Sequence, residues 1–381
     1  MMRPRSGGLS AGGFRAKMHS PDRPSASLVE GYDWLVGREG ARWLAAARGM
    51  LDLEGAGVLQ TTWRLRRDLQ PERVRLILEQ LDLRRRAAGK FPSAGRMFFT
   101  RLGLEQATDA WVAAYKAGRF RSHQPLADLC CGIGGDLTSL AKRGPVRGVE
   151  RDPVMVLCAK ANLAAVGAPD ATIVNKDVEL ADLDGTSAWH IDPDRRPGGR
   201  RTTKVALAEP GPDVLALLLK RSSAAAIKLA PAADMAEPWW AEAELEWISR
   251  ARQCRQLVAW IGILAEHPGT RRATMLHAAE ASEHVQVAAT FVGQPHVECP
   301  VAPRIGRHVF EPDAAILAAK LEGALACEQK LLALAAGVPY YTADRPAAHP
   351  ALACFEVLEA MPFREKQLRR WPDGLRLIGT A

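Results

Sequence analysis

The chain is expected to be α/β, built on an open, mostly parallel sheet, and three observations carry that expectation. The stretch Leu126-Ala127-Asp128-Leu129-Cys130-Cys131-Gly132-Ile133-Gly134-Gly135-Asp136 is an apolar strand that runs into a glycine-rich turn, then a helix at 137–143. Such a turn lets a nucleotide-like ligand approach the backbone closely, because glycine presents no Cβ. A second strand, Val146-Arg147-Gly148-Val149, ends at Glu150, twenty-two residues after Asp128. An acid at that strand end sits where a ribose diol would lie. Beyond it, strands and helices alternate, the pattern of a parallel sheet covered on both faces. Together these features specify a Rossmann-like cofactor site.

The elements follow in chain order. Residues 1–27 are rich in Gly, Ser, Pro and Arg without an apolar signal core, and read as a disordered tail, with an Arg-rich presequence as the alternative. Residues 28–122 read as a helical domain. Segments 43–51 and 71–83 place apolar residues at three- and four-residue spacing, and Pro71 is suited to open a helix. A further helix, 104–117, leads into the first strand. Residues 123–295 form the α/β domain: helix 153–166, strand 171–175 followed by Asp177, strand 188–192, helix 213–221 and strand 224–229. Later strands fall at 245–249, 273–277 and 285–291, with 256–263 read as helical between them. Residues 296–381 read as a small α+β unit: an extended start at 308–310, a long helix at 313–336, Tyr340-Tyr341-Thr342, a strand at 354–358 and a basic helix. The sequence shows no internal repeats.

Composition sets the outer limits. A chain of 381 residues with 48% hydrophobic and 25% charged residues is of ordinary globular composition and long enough for two or three domains. It contains no apolar run of 18 residues, so no membrane association is expected. Seven cysteines, an odd number without C-x-x-C pairs, argue for a reducing compartment, taken as the cytoplasm, and against structural zinc. The nine histidines show no metal-ligand spacing, so no metal is expected. The net charge of +8 is unevenly spread. Arg84, Arg85, Arg86 and Lys90 form one cluster; Arg195, Arg196, Arg200, Arg201 and Lys204 a second; Arg364, Lys366, Arg369 and Arg370, before Trp371, a third. Any one of these suits a solvated face, but three together favour a polyanionic substrate.

The glycines discriminate between cofactors. A dinucleotide fingerprint on Gly132 and Gly134 would need its third glycine at 137, where Leu137 stands. The S-adenosylmethionine pattern wants an acid and then glycines at alternate positions, and here it reads Asp128-x-Cys130-x-Gly132-x-Gly134. In that reading Asp128 orders the loop under the methionine end of the cofactor, and Glu150 takes the ribose. Asp177 is positioned to accept from the adenine amino group, or else to cap the helix that follows it.

The fourth strand ends His190-Ile191-Asp192-Pro193-Asp194-Arg195-Arg196-Pro197-Gly198-Gly199. Proline lacks an N–H and restrains its predecessor, so the Asp192 side chain and neighbouring carbonyls can converge on one point. That makes an acceptor pocket for an exocyclic amine, orienting its nitrogen toward the methyl group. A plain surface turn is the alternative. His190 reads as structural rather than a base, Cys130 and Cys131 as packed, and Trp239-Trp240 as a packing anchor rather than a base-stacking pair.

The turn Cys131-Gly132-Ile133-Gly134-Gly135-Asp136, preceded by Leu104-Glu105-Gln106-Ala107-Thr108, resembles the core of the trimethylguanosine synthase group of RNA methyltransferases. As a whole the chain resembles more closely the class I S-adenosylmethionine-dependent methyltransferases with a C-terminal THUMP-like domain. The residues that carry this are Phe99-Thr100, Glu105-Gln106, Asp192-Pro193-Asp194-Arg195-Arg196, Ile227-Lys228-Leu229-Ala230-Pro231 and Phe310-Glu311-Pro312-Asp313-Ala314, and the likeness covers about 90–375. The resemblance implies cofactor contacts at Asp128, Gly132, Gly134, Glu150 and Asp177, with Cys130 replacing a glycine of the same loop, and a target-side role for Asp192 and Pro193. It departs after the proline: amine methyltransferases place a second proline and an aromatic there, where this chain has Asp194 and Arg195. An arginine plane can stack on a base and pair with phosphate.

The sequence thus points to an S-adenosylmethionine-dependent methyltransferase acting on a base nitrogen of tRNA or rRNA, with Asp192, Pro193 and Arg195 on the target side. A methyltransferase of a protein or small metabolite, and a non-catalytic RNA-binding module that keeps the fold, remain open.

Overall fold

The computed structural model describes residues 24–361, apart from 53, 54, 56, 169, 196–201, 234–237 and 278–284. The helical part begins with α1 (Ala26–Val36), α2 (Arg38–Asp52), α3 (Val58–Leu65) and α4 (Pro71–Ala87). Ser25 caps α1 through Leu28 N, and Pro71 opens α4. The helix expected over 104–117 is broken in two, α5 (Arg101–Gln106) and α6 (Ala110–Gly118). Asp109 causes the break. Its side chain accepts from Val112 N at 3.0 Å and starts a new helix.

The α/β part runs β1 (Leu126–Leu129), α7 (Leu137–Leu140), β2 (Val146–Glu150), α8 (Pro153–Val166), β3 (Ala171–Asn175), β4 (Ala188–Ile191), α9 (Pro212–Arg221) and β5 (Ala225–Leu229). It continues with β6 (Glu244–Arg250), β7 (Gln253–Ile261), β8 (Arg271–His277) and β9 (Gln286–Gly293). These strands form a nine-stranded sheet in the order β3-β2-β1-β4-β5-β7-β6-β8-β9. The first five neighbours are parallel, β7 runs antiparallel to β5 and β6, and β9 closes the far edge antiparallel to β8. This is a Rossmann-like sheet with an antiparallel extension beyond β5.

One element differs in kind from its expectation. Of the segment 256–263, residues 256–261 belong to β7 and only 262–263 enter a short 3-10 turn. The run Leu257-Val258-Ala259-Trp260 is buried on both faces, so it shows no period of two to mark it as a strand. The turn that folds β7 back on β6 has Ala251 and Arg252 at φ 52° and 58°. That is a two-residue hairpin turn made without glycine or asparagine, so its usual sequence signal is missing.

The last part comprises β10 (His308–Pro312), α10 (Ala314–Ala319), α11 (Glu322–Glu328), β11 (Leu332–Ala333), β12 (Tyr341–Ala343) and β13 (Leu352–Glu356), its strands in an antiparallel sheet of order β11-β12-β10-β13. The single long helix expected over 313–336 is two short ones, because Lys320 turns left-handed (φ 61°) and ends α10. The basic helix and the cluster at 364–370 lie outside the described residues, as do Arg196, Arg200 and Arg201.

Three packed clusters hold the molecule together. Helices α1, α2 and α4 pack with Ile133, Val154, Met155 and Cys158, so the helical part leans on α8 and the glycine-rich turn. One face of the sheet buries Trp189, Trp247 and Leu257 against α9 and against Phe310, Ile316 and Leu321 of the last part. The other face buries Ala226, Val258 and Trp260 beneath α6 and α7.

Candidate active site

The site lies at the carboxyl ends of the parallel strands, and the turn after β1 forms its floor. Cys130, Gly132 and Gly134 have φ of 58°, 54° and 87°. The backbone thus keeps a glycine-type conformation at 130 although the residue is cysteine, a left-handed position that costs a side-chain-bearing residue about 1 kcal/mol. Glu150, at the end of β2, reaches back to this turn. Its Oε2 accepts from Gly132 N and its Oε1 from Asp152 N, both at 2.9 Å. Burial raises the Glu150 carboxyl above its ordinary value, against the pull of these amides. Two lone-pair sites on the carboxylate remain for a ribose diol. Asp177 lies exposed two residues past β3 and makes no capping hydrogen bond to the short turn after it.

Beneath the turn runs a buried polar relay that no local pattern in the sequence announces. Lys116 of α6 has only donors, so its Nζ, 3.1 Å from His190 Nε2, must donate to it. The imidazole proton therefore sits on Nδ1 and is donated to Asp128 Oδ1 at 2.7 Å. Lys116 also pairs with Asp136 Oδ1 at 2.7 Å, and Thr108 Oγ1 donates to Asp136 Oδ2 at 2.6 Å. Burial depresses the Lys116 ammonium and raises the Asp128 carboxyl. At Asp136 burial acts upward, but Lys116 and the neighbouring cations outweigh it and hold the carboxyl below its ordinary range. His190 is thus a buried partner of Asp128. The thiols of Cys130 and Cys131 are both pushed well up by burial, which makes neither a thiolate nucleophile.

The loop expected to face the target follows the end of β4. Asp192, 22% exposed at its side chain, meets Lys228 of β5, with Lys228 Nζ 2.5 Å from Asp192 Oδ2. Lys228 also donates to Gln106 O at 3.3 Å, and Gln106 Nε2 donates to Asp194 Oδ1 at 2.8 Å. Lys90 Nζ donates to Leu104 O, Glu105 O and Ala107 O at 2.7, 3.3 and 3.3 Å. Two lysines therefore take four consecutive carbonyls, 104–107, that the end of α5 leaves without intrahelical partners. Pro193 is buried. A cleft lined by Pro193, Arg195, Lys204, Lys228, Leu229 and Ala230 joins the loop after β4 to the end of β5.

The structure therefore gathers Asp128, Cys130, Gly132, Gly134 and Glu150 around one turn and sets Asp192, Pro193 and Arg195 in one loop. Lys228 and Gln106 join this loop unannounced by sequence position. Both lie inside stretches that carry the family resemblance, Ile227-Lys228-Leu229 and Glu105-Gln106, but only the fold brings them to Asp192. Part of the first basic cluster is inward-facing: besides Lys90, Arg84 donates to Met97 O at 2.8 Å and lies over the Phe98 ring. Those two do not serve as surface cations.

Two observations fit S-adenosylmethionine to this floor. A Cβ at Gly132 would meet nothing within 4 Å, so that part of the turn borders open space. Asp128 Oδ2 is buried without a hydrogen-bond partner, an acceptor suited to a cationic amine. Asp128, Gly132, Gly134 and Glu150 would hold the cofactor. Among the described residues, no group of three or more potential ligands is placed to hold a metal, and no helix is long and apolar enough to cross a membrane.

Comparison with known proteins sets this geometry in a family. The chain is 34% identical over 310 residues to a protein of Mycobacterium tuberculosis CDC 1551 described as an uncharacterized S-adenosylmethionine-dependent methyltransferase, covering 78% of this chain and 82% of the relative. The counterpart in strain H37Rv matches at the same level. A crystal structure from Porphyromonas gingivalis W83, named as a candidate methyltransferase, superposes with a TM-score of 0.67 at 20% identity over 91% of this chain and 87% of that one, a likeness of fold. Residues 29–87, the first four helices, match a domain of unknown function (DUF8688).

Proposed function

The chain belongs to the S-adenosylmethionine-dependent methyltransferases, and on that premise we propose that it methylates a nitrogen of an RNA base, in tRNA or rRNA. The observation that carries this reading is the state of Asp192. Lys228 holds its Oδ2, and among the described residues Oδ1 has no partner, so a fixed, partly exposed acceptor stands at the end of β4. Such an acceptor suits the N–H of an exocyclic amine.

When bound, S-adenosylmethionine supplies a methyl group on a sulfonium that departs as a neutral thioether. This chain's residues supply placement. Asp192 Oδ1 accepts one target N–H and points the nitrogen lone pair at the methyl group, and orientation is most of what such a transfer requires. The nitrogen gains a methyl group and sheds one proton, for which the partly exposed Asp192 offers a route to water. Lys228 and Gln106 are positioning residues: one clamps Asp192, the other holds Asp194. Arg195 would stack on the base or pair with its phosphate.

The basic character of the chain, with a sequence pI of about 9.3, supports a polyanionic substrate. We read residues 28–122, 123–295 and 296–381 as a helical domain, the methyltransferase domain and a THUMP-like unit, working in the cytoplasm. The core is read as similar to the trimethylguanosine synthase group.

The test compares methylated nucleosides, by mass spectrometry of total tRNA and rRNA, in a deletion strain and its complemented parent. Loss of one methylated nucleoside, restored by wild type but not by Asp192→Ala, is the expected result. Unchanged RNA pools would move the substrate to proteins or small metabolites.

A further inference from the structure

The carboxyl edge of the sheet carries exposed arginines without acidic partners among the described residues. Lys228 lies next to the end of β5, beside Asp192. The pairing of β5 with β7 sets Leu229 opposite Leu257, so Arg255 lies two residues beyond the end of β5, on the edge where the site opens. Arg255 is exposed and, among the described residues, has no hydrogen-bond or ion-pair partner. Lys90 is lowered by burial and then by the charge of Lys228, and Arg255 acts on it in the same direction, while Asp109 and Glu105 act the other way.

The same edge reaches the helical part. Arg250, at the end of β6, donates to Gly89 O at 3.0 Å, which fixes the end of α4 next to the β6–β7 hairpin. Arg85 and Arg86 stand exposed on the last turn of α4. Three acids here are already matched: Asp109 by Arg250 at 3.5 Å, Asp82 by Arg86 at 3.9 Å and Asp192 by Lys228. Arg85 and Arg255 are left as exposed cations without acidic partners among the described residues. Exposed cations without acidic partners beside a reaction site are stabilised when a polyanion lies along them.

We propose that this edge is a phosphate-binding track, running from Arg85 at the end of α4 past Arg255 toward the end of β5, along which a single strand of RNA reaches Asp192. The inference rests on the RNA reading above and adds the path of the strand. The helical part then has a role in substrate capture, since α4 contributes to the track and Lys90, at its end, holds α5 against the target loop.

The test uses the full chain and a fluorescently labelled single-stranded RNA, with anisotropy titrations at several salt concentrations. Arg85→Gln/Arg255→Gln should weaken binding about tenfold and lower the slope of log affinity against log salt by roughly 1.4, about 0.7 for each phosphate that is no longer neutralised. Arg304→Gln/Arg307→Gln removes the same charge from the far α+β part and should change neither. Calorimetric binding of S-adenosylhomocysteine, expected unchanged in both doubles, shows that the variants are folded. If both doubles weaken RNA binding equally, bulk charge is responsible and the track is wrong. A wild-type slope in Arg85→Gln/Arg255→Gln also overturns the track while leaving the RNA reading standing. If wild-type protein binds no RNA, that reading fails and the track with it.

Discussion

Lys228 Nζ lies 2.5 Å from Asp192 Oδ2 and joins the ends of two neighbouring strands, β5 and β4, at the point where the target loop begins. The lysine is only 5% exposed at its side chain, so the pair is largely withdrawn from solvent and its geometry is well held. A carboxylate fixed at one oxygen has one orientation left for the other. That is the property a methyl acceptor site needs, because the nitrogen must be aimed and not merely bound.

Lys228→Met should therefore separate binding from rate. The turn that would hold the cofactor is untouched, so S-adenosylhomocysteine should bind within about twofold of wild type. Methyl transfer should fall by about a hundredfold, the scale of a misplaced reacting group. Lys228→Arg should recover part of the rate. Single-turnover transfer alongside calorimetry makes the comparison, and a parallel loss of both quantities would remove Lys228 from the target side.

The floor of the site makes a different prediction. Gly132→Ala places a methyl group at φ 54°, a strain of about 1 kcal/mol, in open space beside the turn. Thermal stability should drop modestly, while S-adenosylhomocysteine affinity should drop at least tenfold. Cys130→Gly, which relieves a left-handed residue in the same turn, should keep both properties near wild type. Tight cofactor binding by Gly132→Ala would place the cofactor elsewhere.

Asn162 ties the helical part to the same floor. Its Oδ1 accepts from Phe98 N at 2.7 Å, and its Nδ2 donates to Phe98 O at 3.0 Å and Ile133 O at 2.8 Å, all buried. Asn162→Leu would orphan three backbone groups, at a cost of roughly 3 kcal/mol. Urea unfolding should show that loss. A cost below about 1 kcal/mol would mean that water or a shifted backbone replaces the amide.

Every strand of the large sheet except β7 could be read from the sequence because each is a short segment holding apolar residues, and several turns between them carry strong local signals. Asp152-Pro153 is one: Asp152 Oδ1 accepts from Val154 N and Met155 N, and Pro153 occupies the first turn of α8. The missed breaks rest on weaker signals. Lys320 ends α10 in a left-handed conformation that nothing in its side chain announces, and Ala251-Arg252 make a hairpin turn without glycine. Within the site, Gly132, Gly134 and Glu150 are legible because their spacing is local. Lys228 and Asp192 are thirty-six residues apart, and the relay from Thr108 to Asp128 draws on five separate segments. Pairings of that kind are set by the order of strands in the sheet, which no local pattern encodes.

The last prediction concerns acid stability and a second buried network, on β6. Glu244 is fully buried and accepts from Arg119 Nη2, Arg272 Nη1 and Glu266 N, each at 2.7 Å. Burial alone would raise its carboxyl, but the two arginines prevail and push it from 4.5 down to about 2. A carboxyl depressed on folding contributes stability above its unfolded value and loses it as pH falls toward the folded one. For Glu244 the window runs from about 4.5 down to about 2, and the contribution is on the order of 3 kcal/mol. Glu244→Gln should be less stable than wild type at neutral pH, since its amide turns donors toward two guanidinium groups. Its stability should also lack this share of the acid dependence, so the two curves converge as pH approaches 2. Urea unfolding across that range measures both, and curves that stay parallel would show that Glu244 does not carry the acid sensitivity.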